Sequence, residues 1–312
     1  MRIHIALVLA AGLAGAAHAE NAHAETPPCA ARAAVQDGVL MTFASAPARP
    51  EGFRGRGELS SWSPLAGSWE GAGTDATGAL TVKAGLESLY DGRYVLLRTT
   101  ESRDGHRLRE QLLVWVGGET SGAFLYDADA PFRRLAGGVD ASGTALSAGD
   151  AKLRVTWKQG PDGLTGVREE ADASGALVET GRWTLKRGAA RSLIERGTCP
   201  VGPLSGLVGK HKGQGETAVT LGSGVGAHFF GEDEGVSALS SAIVVTHETH
   251  TYKDHTDQAL LVHGLENDHP FRHVFSSKGV MQQLSGDVVD RSRLVFAAPV
   301  PEGTLKVTFV PT

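Results

Sequence analysis

The chain has 312 residues, with 30 basic against 35 acidic side chains for a net charge of −5, and 41 % of its residues are apolar. Acidic and basic residues are interspersed without a Lys/Arg cluster, which excludes a nucleic-acid or anionic-membrane surface built on basic charge. Glycine occurs 41 times, nearly twice its usual share, and its spread among short apolar runs points to numerous turns and antiparallel β-structure.

The first residues read as a secretory signal. Arg2 supplies the basic start, Ile5 to Ala17 the apolar run, and Ala17-His18-Ala19 the small-x-small cleavage pattern. The expected signal peptide is 1–19, with Ala22-His23-Ala24 as the alternative cleavage site after residue 24. The run is too short to span a bilayer, and no later stretch approaches the roughly 20 apolar residues of a spanning helix. Cys29 follows Pro27-Pro28, not the small residues, so a lipid anchor is not expected. The mature protein is expected to be soluble, and periplasmic or secreted. Its two cysteines, Cys29 and Cys199, are expected to form a disulfide in that compartment.

Residues 20–57 read as an irregular lead-in, broken by Pro47, Pro50, Gly52, Gly55 and Gly57, with Ala30 to Val35 able to form a helical turn. A first domain at 58–187 reads as short strands, among them Tyr94 to Arg98, Gln111 to Val116, Gly122 to Tyr126, Leu153 to Trp157 and Gly181 to Leu185. Turn dipeptides stand between them: Asp91-Gly92, Asp104-Gly105, Ser142-Gly143, Asp162-Gly163 and Ser174-Gly175. Residues 188–202 form a linker, and 203–312 repeat the strand pattern in a second domain.

The two halves echo each other. Pro64-Leu65-Ala66-Gly67 is answered by Pro203-Leu204-Ser205-Gly206, Glu110 to Val114 by Asp257 to Leu261, and Ala130-Pro131-Phe132-Arg133-Arg134 by His269-Pro270-Phe271-Arg272-His273. A repeat this long is a whole domain rather than a solenoid unit. The expected fold is therefore all-β: two tandem antiparallel barrels, the second degenerate, because a meander that closes on itself removes its sheet edges. Packed β-sandwiches are the alternative.

Leu65-Ala66-Gly67-Ser68-Trp69-Glu70-Gly71 resembles the G-x-W opening of lipocalin-like (calycin) barrels. With Leu89-Tyr90-Asp91-Gly92-Arg93 and Tyr126-Asp127, the resemblance extends to a bacterial lipocalin-like family of uncharacterised function, over roughly residues 64–187. It implies a barrel in which Trp69 plugs the closed end as a core residue. The second domain departs from the pattern, with Leu207-Val208-Gly209 where the tryptophan would fall.

Such a barrel has one natural cavity, lined by the inward residues of its strands. Tyr94, Leu96, Leu113, Trp115, Phe124, Tyr126, Trp157 and Trp183 are the candidates to line it and to bind a small, largely apolar ligand; a solid core is the competing reading. The second half differs in chemistry. All five tryptophans precede residue 184, whereas eight of twelve histidines follow residue 210. If Ala242 to Tyr252 and His255 to His263 form a hairpin turning at Lys253-Asp254, then His250 opposes Asp257. His250, His255, Asp257 and His263 would share a face, and the first three make a two-histidine, one-carboxylate set suited to copper or zinc. The bland reading of that face is a solvated surface.

Two enzyme motifs fail. His247-Glu248-Thr249-His250 is one residue short of the zinc-protease spacing and lies in a strand pattern. Leu260-Leu261-Val262-His263-Gly264 has no nucleophile elbow downstream. Gly222 to Gly226 is followed by no helix that would seat a phosphate, so no catalytic constellation is expected.

Overall fold

The computed structural model describes residues 34–35, 58–118, 121–188, 203–216, 228–279, 281–290, 293–300 and 303–311. The expected leader, Cys29, Cys199 and the linker from 189 to 202 lie outside the described residues. Two compact units divide the chain, one of residues 49–195 and one of 1–48 with 196–312. A two-residue strand, β1 (Ala34–Val35), is the first described element. No helix among the described residues is long and apolar enough to cross a membrane.

The first unit opens with a 3₁₀ turn, Ser60–Leu65, followed by ten strands: β2 (Gly67–Asp75), β3 (Gly78–Leu89), β4 (Tyr94–Arg103), β5 (His106–Val116), β6 (Gly122–Asp127), β7 (Ala130–Val139), β8 (Ala145–Gly149), β9 (Leu153–Gly160), β10 (Gly163–Ala171) and β11 (Leu177–Arg187). Each pairs antiparallel with the next, and β11 pairs with β2, so the sheet closes into a barrel. Closure excludes the sandwich alternative for this unit. All five turn dipeptides named from the sequence separate consecutive strands. At Asp104 (φ 50°) and Gly105 (φ 79°) both residues are left-handed, the geometry whose twist matches a two-residue hairpin.

The inward residues of β3 (Leu80, Val82, Ala84, Leu86), β9 (Leu153, Val155, Trp157) and β11 (Trp183, Leu185) fill one core. Leu59 and Trp62 close the end at which β2 and β4 begin; the Leu59 N–H donates to the Gly92 carbonyl at 3.0 Å. Trp69 is buried there too, its indole donating to the Leu65 carbonyl at 2.9 Å. Arg187 latches the closure: its guanidinium donates to the Ala66 and Pro64 carbonyls (2.7 and 2.6 Å) and lies 4.7 Å over the Trp69 ring.

The second unit opens with a 3₁₀ turn, Pro203–Leu207, and continues as β12 (Gly209–Glu216), β13 (His228–Ala238), β14 (Ile243–Thr251), β15 (Thr256–Glu266), β16 (His269–Ser276), β17 (Met281–Asp290), β18 (Arg293–Val300) and β19 (Gly303–Pro311). These form a meander that stays open, which corrects the expectation of a second closed barrel. The lead-in, not β12, lies beside β19. Ala34 and Val35 form a strand, not a helical turn, and pair with Pro311 and Val310. They cover the last two residues of that edge of β19.

The likeness of the two units is clearest in the backbone. The turn from second to third strand is left-handed at three successive residues in both units: Tyr90, Asp91 and Gly92 (φ 52°, 57° and 78°), and Leu239, Ser240 and Ser241 (φ 50°, 55° and 75°). Non-glycine residues rarely adopt this conformation, so its recurrence is specific. The Pro64 and Pro203 echo marks the 3₁₀ turn that opens each unit, and the Glu110 and Asp257 echo falls on the fourth strand of each. The third echo does not hold: Ala130 opens the sixth strand of its unit, whereas His269 opens the fifth.

Candidate functional site

The barrel interior changes character along its axis. Near the middle, Trp157 stacks on Trp183 with ring centres 5.5 Å apart and planes within 9°. The Arg168 guanidinium lies 5.4 Å over the Trp183 ring, on which it makes a cation–π contact. Glycines make room for these rings. A Cβ on Gly166 would stand 2.5 Å from Trp183 and 3.0 Å from Trp157, and one on Gly73 would overlap the Trp183 pyrrole edge. The Gly71-x-Gly73 pair after the G-x-W opening thus has a packing reason at Gly73.

Toward the end opposite the plug, the interior turns polar. Arg168 donates to Glu101 at 2.9 Å, and both side chains are 5 % exposed. The Arg168 Nε lies 3.2 Å from Glu170 and 3.3 Å from the Thr180 hydroxyl. Arg109 stands between Glu170 (3.8 Å) and Asp127 (4.0 Å), Gln111 donates to Asp127 at 2.6 Å, and Arg103 pairs with Asp75 at 2.6 Å. All three register shifts in the barrel ladders fall beside members of this group, at Glu101/Ser102, Leu125/Asp127 and Arg168/Glu169. Bulges at barrel rims re-aim side chains, and here they turn charged residues toward the mouth. Burial pushes the Glu101 carboxyl above its ordinary range, even with Arg168 and Arg109 acting the other way.

Five tryptophans surround this interior, and four of their indole donors are unsatisfied. Trp69 has an acceptor, whereas the buried N–H groups of Trp62, Trp115, Trp157 and Trp183 have none among the described residues. A buried donor without a partner costs about 1–3 kcal/mol, so four in one barrel is a heavy concentration.

The register separates the eight expected lining residues into two sets. Trp115 pairs with Val95 and Ala123, and Leu113 with Leu97 and Leu125, all on the inward face with Trp157 and Trp183. Leu96 pairs with Val114, Val114 in turn with Phe124, Tyr126 with Leu112, and Tyr94 with Val116, on the outward face. Tyr94, Leu96, Phe124 and Tyr126 therefore do not line the interior, which corrects that expectation. The reason is that β4, β5 and β6 are buried on both faces over much of their length. Their sequences run apolar without alternation, so parity carries no sign of which face is inward. In β9 and β11 the alternation is clean, and Trp157 and Trp183 were legible.

In the second unit β14 and β15 form the expected hairpin, with His250 opposite Asp257. Its polar face is not solvated: His250, Asp257 and His263 are 2 %, 3 % and 1 % exposed. Glu248 lies 3.3 Å from His250 and 3.7 Å from Arg272. Burial opposes ionisation of Glu248, yet His250 and Arg272 beside it hold its carboxyl below the usual range. Asp257 is bound by Lys278 at 2.8 Å. His255 is exposed, stacks on Tyr252 with ring centres 4.4 Å apart, and stands 3.7 Å from Asp257. His263 does not join the others. It lies six residues along β15 from Asp257, on the order of 20 Å at the strand rise, and pairs instead with Val244 and Arg272. Among the described residues no group of three His, Cys, Asp or Glu is placed to hold one metal ion. Burial drives the imidazole of His263 well below its ordinary range and that of His273 down to about 3.

The sequence reading missed Glu101, Arg109 and Arg168. The available signal was Arg168 itself, which shares the inward parity of Leu164 and Gly166 on β10.

No family model matches the chain, and a search of curated proteins finds no match. Among solved structures the chain is similar to a protein of unknown function from the DUF3598 family of Nostoc punctiforme, at 11 % identity over 82 % of this chain and 99 % of that one. The TM-score of 0.27 is too low to infer a shared architecture from it.

Proposed function

We propose that the chain is an exported, non-enzymatic binding protein whose first unit takes a small, largely apolar ligand into its barrel. Export is supported by the basic and apolar leader with its Ala-x-Ala sites. The observation that carries the binding reading is the width of the barrel combined with its wall. Barrel diameter grows roughly in proportion to strand number, and eight strands already hold side chains or one small ligand. Ten strands make the barrel about a quarter wider, while Ala84, Ala123 and Ala148 keep parts of the wall thin. The plug at one end and the polar mouth at the other leave a single natural entrance.

The five tryptophans all belong to the first unit, so their emission reports on this barrel alone. Titration with fatty acids, sterols, porphyrins and uncharged long-chain alcohols is expected to shift or quench that emission for at least one class, saturably. Emission unchanged across the whole panel would remove the reading.

A further inference from the structure

The barrel that the proposed function treats as a binding site also carries a preference for what its ligand presents at the mouth. We infer that the ligand is an amphipathic anion, an apolar body bearing one carboxylate or phosphate group, whose charged oxygens are received by Arg109 and Arg133. The inference rests on that reading and on two observations about the interior.

The first is that the unfilled polar groups are all donors. Among the described residues of the first unit, the buried side-chain atoms without a hydrogen-bond partner are the indole nitrogens of Trp62, Trp115, Trp157 and Trp183 and one guanidinium nitrogen each of Arg93 and Arg109. None of them is an acceptor. An ammonium also only donates, so a cationic amine satisfies none of these groups, and a hydrocarbon brings no polar atom at all. The ligand that suits this interior supplies acceptor oxygen.

The second observation decides between a charged oxygen and a neutral one. The guanidiniums of the mouth are unevenly used. Arg168 donates to Glu101 at 2.9 Å and Arg103 to Asp75 at 2.6 Å. Arg109 stands 3.8 Å from Glu170 and 4.0 Å from Asp127, beyond hydrogen-bond reach, and its buried Nη1 has no partner. Asp127 is engaged elsewhere, by Gln111 at 2.6 Å and by the Asp129 N–H at 3.1 Å. Arg133 lies on β7 opposite Leu125, which gives it the inward parity, and it makes no ion pair among the described residues. The register shift of β6 between Leu125 and Asp127 falls between these two arginines. With Glu170 and Asp127 beside Arg109, the head group is received by directional donors and not by a net positive field. Hydrogen bonds between ionised partners are about twice as strong as neutral ones, so an anionic oxygen gains more from Arg109 and Arg133 than a carbonyl does.

The test sets four probes of one chain length against the full chain at pH 7.5: decanoate, decyl phosphate, decanamide and decylamine. Decanamide keeps the shape and the acceptor oxygen of decanoate without its charge. Binding is followed by tryptophan emission. At least one of the anions is expected to bind about ten-fold tighter than decanamide, the gap between a charge-assisted and a neutral hydrogen bond, with decylamine the weakest of the four. Whichever anion binds more tightly names the head group. Arg109→Gln and Arg133→Gln are each expected to remove most of that advantage and to leave decanamide binding unchanged. Arg134→Gln, on the outward parity of the same strand, is expected to change neither. Should a variant fail to fold, the ratio of anion to amide affinity in the unaltered protein still decides. Decanamide or decylamine binding as tightly as both anions, or an advantage that survives both arginine changes, would overturn the inference while leaving the barrel a binding site. Binding of none of the four overturns it as well, and the wider panel then decides the proposed function separately.

Discussion

The two units begin alike and end with different interiors. Both open on a 3₁₀ turn, and in both the second and third strands are joined by the same three-residue left-handed turn. Counting from that turn, Thr99 and Glu101 of the barrel correspond to Glu248 and His250 of the open sheet. The ladders then match Trp115, which faces Val95, to His263, which faces Val244. Where the barrel carries tryptophan and one buried Arg–Glu pair, the sheet carries histidine and the Glu248, His250 and Arg272 group. The two units share a turn and a register here and differ in side-chain chemistry. The closed unit has an aromatic interior, and the open one a buried polar ladder in which Glu248 lies between His250 and Arg272.

The sharpest way to break this contrast is to remove Arg168. Arg168→Met leaves Glu101 buried without its guanidinium and is expected to destabilise the barrel by about 3–5 kcal/mol, read as the tryptophan-detected unfolding midpoint. A double change, Glu101→Leu with Arg168→Met, is expected to recover most of that loss, because two apolar groups leave no unpaired charge. No recovery would mean that the ion pair is not what Arg168 contributes.

Acid separates the units by sign. The imidazoles of His263 and His273 titrate lower in the folded sheet than in the unfolded chain. The unfolded state therefore binds more protons below about pH 6.5, and stability falls as pH drops through that window, by roughly 1.4 kcal/mol per pH unit for each histidine. Glu101 is raised in the folded barrel, so between its unfolded value and its raised one the folded state binds more protons. There the barrel gains stability as pH falls. Unfolding followed by amide exchange of β14 to β16 is expected to show the sheet losing stability below about pH 6.5, while tryptophan emission shows Glu101 contributing the opposite sign to the barrel just above the ordinary carboxylate range. Parallel slopes would erase this distinction. Glu101→Gln is expected to flatten the barrel's slope only.

The smallest expected effect tests the glycine seats. Gly166→Ala places a methyl against Trp157 and Trp183 and is expected to cost about 1–3 kcal/mol through overpacking. It should also disturb the near-ultraviolet circular dichroism of the stacked rings. Gly175→Ala meets nothing within 4 Å but sits at φ 85°. It is expected to leave the near-ultraviolet spectrum unchanged and so separates ring contact from backbone strain.

Much of this architecture was legible because turns and alternation are local. Asp-Gly and Ser-Gly pairs declare left-handed turns, and strands with one solvated face, such as β9 and β11, declare their inward residues. The hairpin register at His250 and Asp257 followed from the Lys253-Asp254 turn in the same way. What escaped was non-local. The parity of β4 to β6 was hidden because both faces are apolar, and the partner of β19 on its outer edge is residues 34 and 35, far away in the chain. The Arg168 and Glu101 contact joins residues on β10 and β4 across the barrel interior, which no spacing rule connects.

The pairing of β1 with β19 has a consequence for the order of assembly. Each strand of the barrel meets its sequence neighbour, and closure needs only β2 and β11, both inside residues 49–195. That unit can finish as soon as its own last strand emerges. Ala34 and Val35 are made before any of it, yet their partners, Val310 and Pro311, are nearly the last residues of the chain. During synthesis from the N-terminus, the edge strand must wait through the folding of an entire domain before it has anything to pair with. Contacts of such long range are slow to form, so the seal on the second sheet is expected to be the final step of folding. A chain lacking its last strand would leave two edges exposed, one at each end of the sequence.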